Sequence, residues 1–201
     1  MTNQPPRAAT GYHTFMGALP VPKMTVKEYL EADQASERPL EYHDGEIFPL
    51  AEASLRHAAI ETRIGALLHQ GLKNKPCEAI GTMRVRVSPT QYVQPDLIVY
   101  CGKPVLTDES DPSLTNPSVI FEILSPSTAG YDYSGKFQLY RQLPSFEEYL
   151  LVAQDQPRIE VFRRMTDGRW LLTVYEGESA VAKVESLEIE IPLAEIYSQL
   201  P

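Results

Sequence analysis

Two acidic residues and one lysine are the side chains whose placement in this sequence could support chemistry. Glu122 lies in the middle of the apolar run Val119–Leu124, and Asp96 lies in a second apolar run, Tyr92–Cys101. A carboxylate inside a buried strand is costly unless it is paired or binds a metal. Lys136 follows on a predicted helix, on the stripe that should face the sheet, where an ammonium group needs an anionic partner.

These three residue types together suit metal-assisted phosphodiester hydrolysis. Carboxylates on neighbouring strands repel each other, and a hard divalent cation between them removes that penalty. Mg²⁺ typically takes one or two carboxylates and fills its other positions with water and substrate phosphate. A lysine beside it could orient or deprotonate the attacking water and stabilise charge on phosphorus. The plainer alternative is an internal Glu122–Lys136 salt bridge with Asp96 capping a turn, and spacing alone leaves both open.

A histidine and two further acids are secondary candidates. His57 lies near the start of a predicted helix on its inward face, either as a hydrogen-bonded core histidine or as a residue at the rim of an active site. Glu41 and Glu46 flank the turn Asp44-Gly45, and we expect both to be solvated strand residues, as glutamates usually are.

The elements that must position these residues form a mixed α/β pattern. Thr25 and Glu28 make a capping box for a first helix, Met24–Asp33, and Ser54 is the N-cap of a second, Ser54–Leu72. The sequence also predicts strands and hairpins at Leu40–Leu50, Cys77–Pro89, Tyr92–Cys101, Val119–Leu124, Phe146–Ala153, Arg158–Met165 with Arg169–Glu176, and weakly at Val181–Ile191. Leu193–Gln199 should close the chain with a helical turn.

The totals favour one domain in a reducing compartment. The 201 residues fit a flexible N-terminal arm, residues 1–23, followed by a single domain over residues 24–201. The net charge of −9 argues mildly against a nucleic-acid partner, although a local basic stripe can coexist with an acidic whole. No signal peptide or membrane span is recognisable, and Cys77 and Cys101 are expected to be buried thiols, so we expect a cytoplasmic protein.

Several stretches, in this order, resemble one family. They are M-T-V-K-E-Y-L, L-E-Y-H-D-G-E-I-F, L-R-H-A-A-I, V-Q-P-D-L-I-V-Y, F-E-I-L-S-P-S-T, D-Y-S-G-K-F-Q-L-Y, E-Y-L-L-V and I-E-V-F-R. The chain, from about Met24 to Arg164, resembles the Uma-two family of "putative restriction endonucleases" in the PD-(D/E)XK nuclease superfamily. The resemblance implies a restriction-endonuclease-like core, a mixed β-sheet flanked by helices, with an extra N-terminal helix and hairpin and a C-terminal β-hairpin.

The resemblance also implies a site. Asp96 would be the Asp of the P-D motif and Glu122 the acid of the (D/E)-x-K motif, both metal ligands. Position 124 is Leu, where the superfamily has lysine, and Lys136 on the next helix would replace it. Glu46 would be a further metal ligand, and His57 a residue of the first core helix with a role in the site.

The function implied is a magnesium-dependent endodeoxyribonuclease, with Mn²⁺ as a substitute ion and DNA as the substrate. A homodimer would be consistent with cutting both strands. The alternative is a non-catalytic nucleic-acid-binding or regulatory protein on a nuclease fold, suggested by the acidic charge and by the lack of an appended recognition domain.

Overall fold

Strands and short helices alternate along the chain in a computed structural model that describes residues 23–126 and 128–200. The helical segments are α1 (Val26–Ala35), α2 (Leu55–Gly71), α3 (Ala129–Tyr131), a π-helix (Asp132–Lys136), α4 (Phe137–Tyr140), a 3₁₀ turn (Glu185–Leu187) and α5 (Leu193–Tyr197). The strands are β1 (Leu40–His43), β2 (Glu46–Pro49), β3 (Cys77–Gly81), β4 (Val85–Ser88), β5 (Gln91–Val93), β6 (Leu97–Cys101), β7 (Val119–Leu124), β8 (Glu148–Ala153), β9 (Arg158–Arg164), β10 (Trp170–Glu176), β11 (Val181–Val184) and β12 (Ile189–Pro192). The predicted arm, residues 1–23, lies outside the described residues except for Lys23, and the single domain over 24–201 stays a prediction.

A six-stranded mixed sheet forms the centre, in the order β10-β9-β8-β7-β6-β3. Strand β7 pairs in parallel with β8 and antiparallel with β6. Because strand side chains alternate, β7 buries Phe121 on the side of α2 and Ile120 on the side of the helical segment from α3 to α4. The predicted central mixed sheet flanked by helices is confirmed.

A second sheet, in the order β2-β1-β5-β4, carries the predicted hairpin. Two predictions of single continuous strands were wrong here: Cys77–Pro89 divides into β3 and β4, and Tyr92–Cys101 divides into β5 and β6, with the two halves in different sheets. Thr82 has a φ of 54°, which turns the chain out of β3. Pro95 has no N–H to continue a ladder between β5 and β6.

The C-terminal part differs from its prediction in a similar way. Val181–Ile191 forms two strands, β11 and β12, joined by the 3₁₀ turn and paired antiparallel. Val184 and Ile191 are both fully buried and extend the core on the α2 side of the central sheet. The hairpin β9–β10 and the closing helix α5 occur where they are predicted.

The two cysteines are joined rather than free. Cys77 and Cys101 oppose each other across β3 and β6 and form a disulfide, so the prediction of buried thiols was wrong. Directly opposed residues on antiparallel strands lie close enough to be bridged, and this pairing is not visible in the spacing of the sequence. Among the described residues no helix is both long and apolar enough to span a membrane.

Candidate active site

The buried pair of Glu122 and Lys136 lies at the centre of the candidate site. Lys136 Nζ donates a hydrogen bond to Glu122 Oε2 at 3.0 Å. Tyr140 Oη donates another to Glu122 Oε1 at 2.7 Å. Both carboxylate oxygens of this mid-strand glutamate therefore have a donor. Lys136 and Tyr140 are thus the partners that the sequence requires for the buried carboxylate of Glu122.

A π-helix places Lys136 toward the sheet. One π-helical turn, Asp132–Lys136, interrupts the helical segment between α3 and α4 and buries the side chains of both end residues. Lys136 Nζ lies 3.5 Å from Asp132 Oδ1. Single π-turns inside helices are rare and occur often at functional sites. Asp132 was missed as a site residue because helical spacing shows only that it lies one turn before Lys136.

The third carboxylate around the ammonium belongs to Glu41, not to Glu46. Lys136 Nζ lies 3.4 Å from Glu41 Oε1, which also accepts a hydrogen bond from the backbone N–H of Gln94 at 3.1 Å. Glu41 is 3% exposed, so the expectation that it is solvated was wrong. Glu46 is exposed on β2 opposite His43, and the structure does not bring it to this group.

Asp96 and His57 approach the same end of the sheet from two directions. Asp96 Oδ2 accepts a hydrogen bond from the backbone N–H of Ile123 at 2.6 Å, next to Glu122 in the chain. His57 Nε2, from the first turns of α2, lies 3.3 Å from the same oxygen. His57 Nδ1 lies 4.0 Å from Glu61 Oε2, one helical turn further along α2. His57 thus contacts Asp96 at the rim instead of serving only as a core residue.

An open cleft connects these side chains. Its cavity volume is about 160 Å³, and Asp96, Glu122, Asp132, Lys136, His57 and Glu61 are among the residues that line it. Asp96 directly precedes β6, and Glu122 directly follows Phe121, the last residue of β7 that pairs with β6, so the cleft lies where that pairing ends. Four of the five predicted site residues, Asp96, Glu122, Lys136 and His57, meet here, whereas Glu46 does not.

The site holds more negative than positive charge. Burial raises the pKa of Glu122 well above its ordinary value, and the Lys136 ammonium offsets this only in part. Burial likewise raises the pKa of Asp132. Desolvation would lower the pKa of Lys136, but the carboxylates of Glu122, Glu41 and Asp132 outweigh it and raise that pKa well above the ordinary value. The lysine is therefore cationic, and one ammonium does not neutralise the acids around it.

The site offers the carboxylate oxygens that a hard divalent cation takes, but an ammonium already lies among them. Asp132 Oδ1 is buried and accepts no hydrogen bond in the described structure, and the Lys136 Nζ 3.5 Å away is the cation that offsets its burial. In residues 23–126 and 128–200, no three His, Cys, Asp or Glu side chains already converge as a metal-binding cluster. The ammonium of Lys136 lies among Glu41, Glu122 and Asp132, so the carboxylates converge on it.

A family model described as "Putative restriction endonuclease", named Uma2, matches residues 26–194. The chain belongs to the Uma2 family. The resemblance seen in the sequence is thereby confirmed, and the family description supports a nuclease-like function. Divalent metal use is general among restriction-endonuclease-like families.

Two relatives of this Uma2 protein come from Synechocystis sp., and both are described as uncharacterized proteins. The protein sll1609 is 35% identical over 168 residues, which cover 83% of this chain and 95% of the relative. The protein slr1290 is 32% identical over 184 residues, which cover 90% of this chain and 95% of the relative.

A solved structure shares the fold. It is described as a putative nuclease belonging to DUF820 from Anabaena variabilis, with a TM-score of 0.72 and 19% identity, and the match covers 89% of this chain and 99% of that one. At this identity the likeness establishes the fold alone.

Proposed function

We propose that this Uma2 protein is a metal-dependent endonuclease that hydrolyses phosphodiester bonds in DNA. The observation that carries the proposal is the cleft at the ends of β6 and β7, where Asp96, Glu122 and Asp132 line one wall together with the cationic Lys136. The description of its family agrees with this class of reaction. A cytoplasmic location is part of this proposal only through the DNA substrate, because Cys77 and Cys101 form a disulfide and do not support a reducing compartment.

Asp96, Glu122 and Asp132 are the residues that would hold the metal, with Mg²⁺ as the expected ion and Mn²⁺ as its substitute. All three offer carboxylate oxygens, the donors that these hard cations prefer. A divalent ion bound here would supply Lewis-acid polarisation of a phosphoryl oxygen and a more acidic bound water. Glu46, which the resemblance assigned as a third ligand, is replaced in this proposal by Asp132.

The protein's own residues would act by charge and by orientation. Lys136 is held cationic, so it would stabilise negative charge developing on the phosphoryl group and would not accept a proton from water. Tyr140 fixes one oxygen of Glu122, and the N–H of Ile123 fixes one oxygen of Asp96. His57 would hold Asp96 in its orientation from the α2 side.

The test is plasmid cleavage combined with calorimetric titration of Mn²⁺. We expect nicking of DNA with Mg²⁺ or Mn²⁺, and we expect Asp96→Asn and Glu122→Gln each to remove both cleavage and Mn²⁺ binding. Glu190→Gln is the matched control, because that side chain is 67% exposed and, among the described residues, its ion pair is with Lys183. Cleavage that survives both substitutions would refute the assignment. The same cleavage assay with RNA in place of DNA shows which nucleic acid is the substrate.

The second candidate function is a non-catalytic nucleic-acid-binding or regulatory protein on the same fold. It is favoured by one observation: Lys136 already contacts three carboxylates, so the group is held together without a metal. In that case Mn²⁺ at millimolar concentration would give no heat of binding, and Lys136→Met would change stability without any cleavage to lose.

A further inference from the structure

Strand β10 is an edge of the central sheet with an unusually apolar surface. It pairs only with β9 among the described residues, so the backbone groups along its other side have no strand partner there. Leu171, Leu172 and Val174 are 44%, 46% and 42% exposed. Exposed apolar edge strands invite pairing with another chain, and natural proteins usually protect them with charge, proline or a covering element. The seven residues of β10 include no proline, and their one charged side chain is the terminal Glu176.

The opposite edge of the same sheet shows the usual protection. Strand β3 is shorter, with five residues, and carries Glu78 and Gly81 as its exposed positions. None of its side chains is among the large exposed hydrophobic residues of the described structure. The apolar surface is therefore a property of the β10 edge and not of sheet edges in this fold generally.

The residues along β10 are complementary to themselves when the strand is reversed. In an antiparallel pair centred on Thr173, Leu172 of one strand opposes Val174 of the other, and Leu171 opposes Tyr175. Cross-strand pairs of aromatic, branched and leucine side chains are those that stabilise sheets, by about 0.2–1 kcal/mol each. A centre at Leu172 would oppose Leu171 to Thr173, and a centre at Val174 would oppose Leu172 to Glu176, so each shift sets a leucine against a polar side chain.

The charges near the two ends of the strand favour the same direction. Arg164 lies beside the first residue of β10, Trp170, with the guanidinium 5.1 Å from the ring centroid, and the exposed Glu178 follows the end of the strand. Arg169 and Glu176 are nearer to the strand, but they already pair with Asp167 and Arg158. Antiparallel pairing brings the basic end of each strand to the acidic end of the other, whereas parallel pairing would bring like charges together.

We propose that the β10 edge binds a second copy of this chain, in an antiparallel pair centred on Thr173. The two six-stranded sheets then continue as one sheet across a two-fold axis perpendicular to it. The isologous contact closes after two copies, so the product is a dimer and not a filament.

This arrangement has a consequence that rests on the proposed nuclease function. The clefts lie at the carboxyl end of β7, which corresponds to the Glu176 end of β10 through the pairings of β8 and β9. The two-fold axis therefore directs the two clefts to opposite ends of the joined strands. Seven strand spacings of about 4.8 Å separate the two β7 strands, or roughly 34 Å. The two sites would act independently, each cutting one strand.

Disulfide trapping tests the register. In the proposed dimer Thr173 opposes its own copy, within the reach of a disulfide. We expect Thr173→Cys to form a covalent dimer under mild oxidation, whereas Leu171→Cys, whose copy lies four positions away along the strand, should not. The native cysteines are already joined to each other, so the introduced thiol is the reactive one. Crosslinking by Leu171→Cys and not by Thr173→Cys would overturn the register.

Light scattering after size-exclusion chromatography tests the contact itself. The wild-type chain should be a dimer at micromolar concentration, and Leu172→Lys should raise the dimer dissociation constant by at least about tenfold. The reason is that the two lysines would meet diagonally across the axis, about 7–8 Å apart. Leu55→Lys on α2 is the matched control, because Leu55 is 74% exposed and lies away from β10.

Two outcomes would overturn the proposal: a monomeric wild type, or a dimer that Leu172→Lys leaves intact. If the β10 amides of a monomer are also protected from hydrogen exchange, another part of this chain covers the edge. None of these measurements depends on cleavage, so failure of the dimer and failure of the nuclease function are distinguishable. If both hold, the monomeric variant should nick DNA at the wild-type rate per site.

Discussion

Replacing Lys136 by Met removes the only ammonium that the described structure places among the carboxylates of the site. Its Nζ lies 3.4 Å from Glu41, 3.0 Å from Glu122 and 3.5 Å from Asp132. Methionine has a similar length and fills the same apolar volume, so the substitution tests the charge and not the packing. The carboxylates then remain buried with no cation between them.

The expected loss of unfolding free energy is about 3–5 kcal/mol, the usual cost of breaking a buried ion pair by removing one partner. Solvent screening lowers this expected free-energy loss only slightly, because the side chains of Lys136 and Glu122 are only 7% and 3% exposed. Tyr140 still donates to Glu122, which keeps the loss within that range.

The cost should grow with pH. In the wild type the pKa of Lys136 lies well above its ordinary 10.5, so the lysine's contribution is complete below pH 10.5 and is lost only as pH rises through the folded value. Burial already holds the pKa of Glu122 well above its ordinary 4.5 in the wild type, and without the ammonium of Lys136 the pKa in the variant is raised further. Both proteins lose stability as pH rises above 4.5, but the variant continues to lose it above the wild-type pKa of Glu122, and the cost of the substitution grows in that range. There the folded variant holds a proton that the unfolded chain releases, so its stability falls by up to about 1.4 kcal/mol per pH unit for one proton.

Urea denaturation in the presence of EDTA at about pH 5 and about pH 8 measures both effects. Lys27→Met is the matched control, because Lys27 is 86% exposed and its ion pair within the part of the chain that the structure describes is with Glu31 in α1. It should change stability by less than about 0.5 kcal/mol at either pH. A cost below about 1 kcal/mol for Lys136→Met, equal at the two pH values, would show that the ammonium does not hold these carboxylates together.

Two further substitution pairs test the placement of the site. Glu41→Gln should lower the unfolding free energy by about 1–3 kcal/mol, because a buried, charge-assisted contact is lost. Glu46→Gln should stay within about 0.5 kcal/mol of wild type, because its side chain is exposed. A larger loss for Glu46→Gln than for Glu41→Gln would support Glu46 as the site residue. Gly135→Ala should cost about 1–3 kcal/mol in thermal or urea unfolding, because a Cβ there would lie 2.3 Å from Tyr131 Cε2. Gly130→Ala is its control, since a Cβ at Gly130 meets nothing within 4 Å, and equal responses at the two glycines would contradict the contact with Tyr131.

Local patterns in the sequence are sufficient for most elements of the fold. The Thr25–Glu28 capping box, the turn at Asp44-Gly45 and the apolar run of β7 all occur where the pattern predicts them. These signals act within a few residues, since capping, turn geometry and side-chain alternation are decided by neighbours in the chain. The isolated acid in β7 and the inward lysine are equally local, so the amino-acid sequence alone indicates that Glu122 and Lys136 each need a partner, but it leaves open whether they pair with each other or Glu122 binds a metal.

The identity of their companions was decided by tertiary structure. Glu41 and Glu46 look equivalent in the sequence, and the hairpin register even places them on the same face. Glu46 lies two positions closer to the turn, however, about 7 Å further along the strand, and only Glu41 reaches Lys136. The pairing of β1 with β5 brings Glu41 to Gln94, and such contacts between distant segments leave no trace in local spacing.

The π-helix and the disulfide show the same limit. Five residues, Asp132–Lys136, form a π-turn that brings an acid and a lysine together. The ring of Tyr131 lies against Gly135, and Tyr140 packs against the sheet, both of which are contacts that the helical repeat in the sequence does not reveal. Cys77 and Cys101 meet because β3 pairs with β6 in one particular register. The sequence by itself determined which residues carry charge in buried elements, whereas the tertiary structure decided which of those charges meet, since that depends on strand order and register.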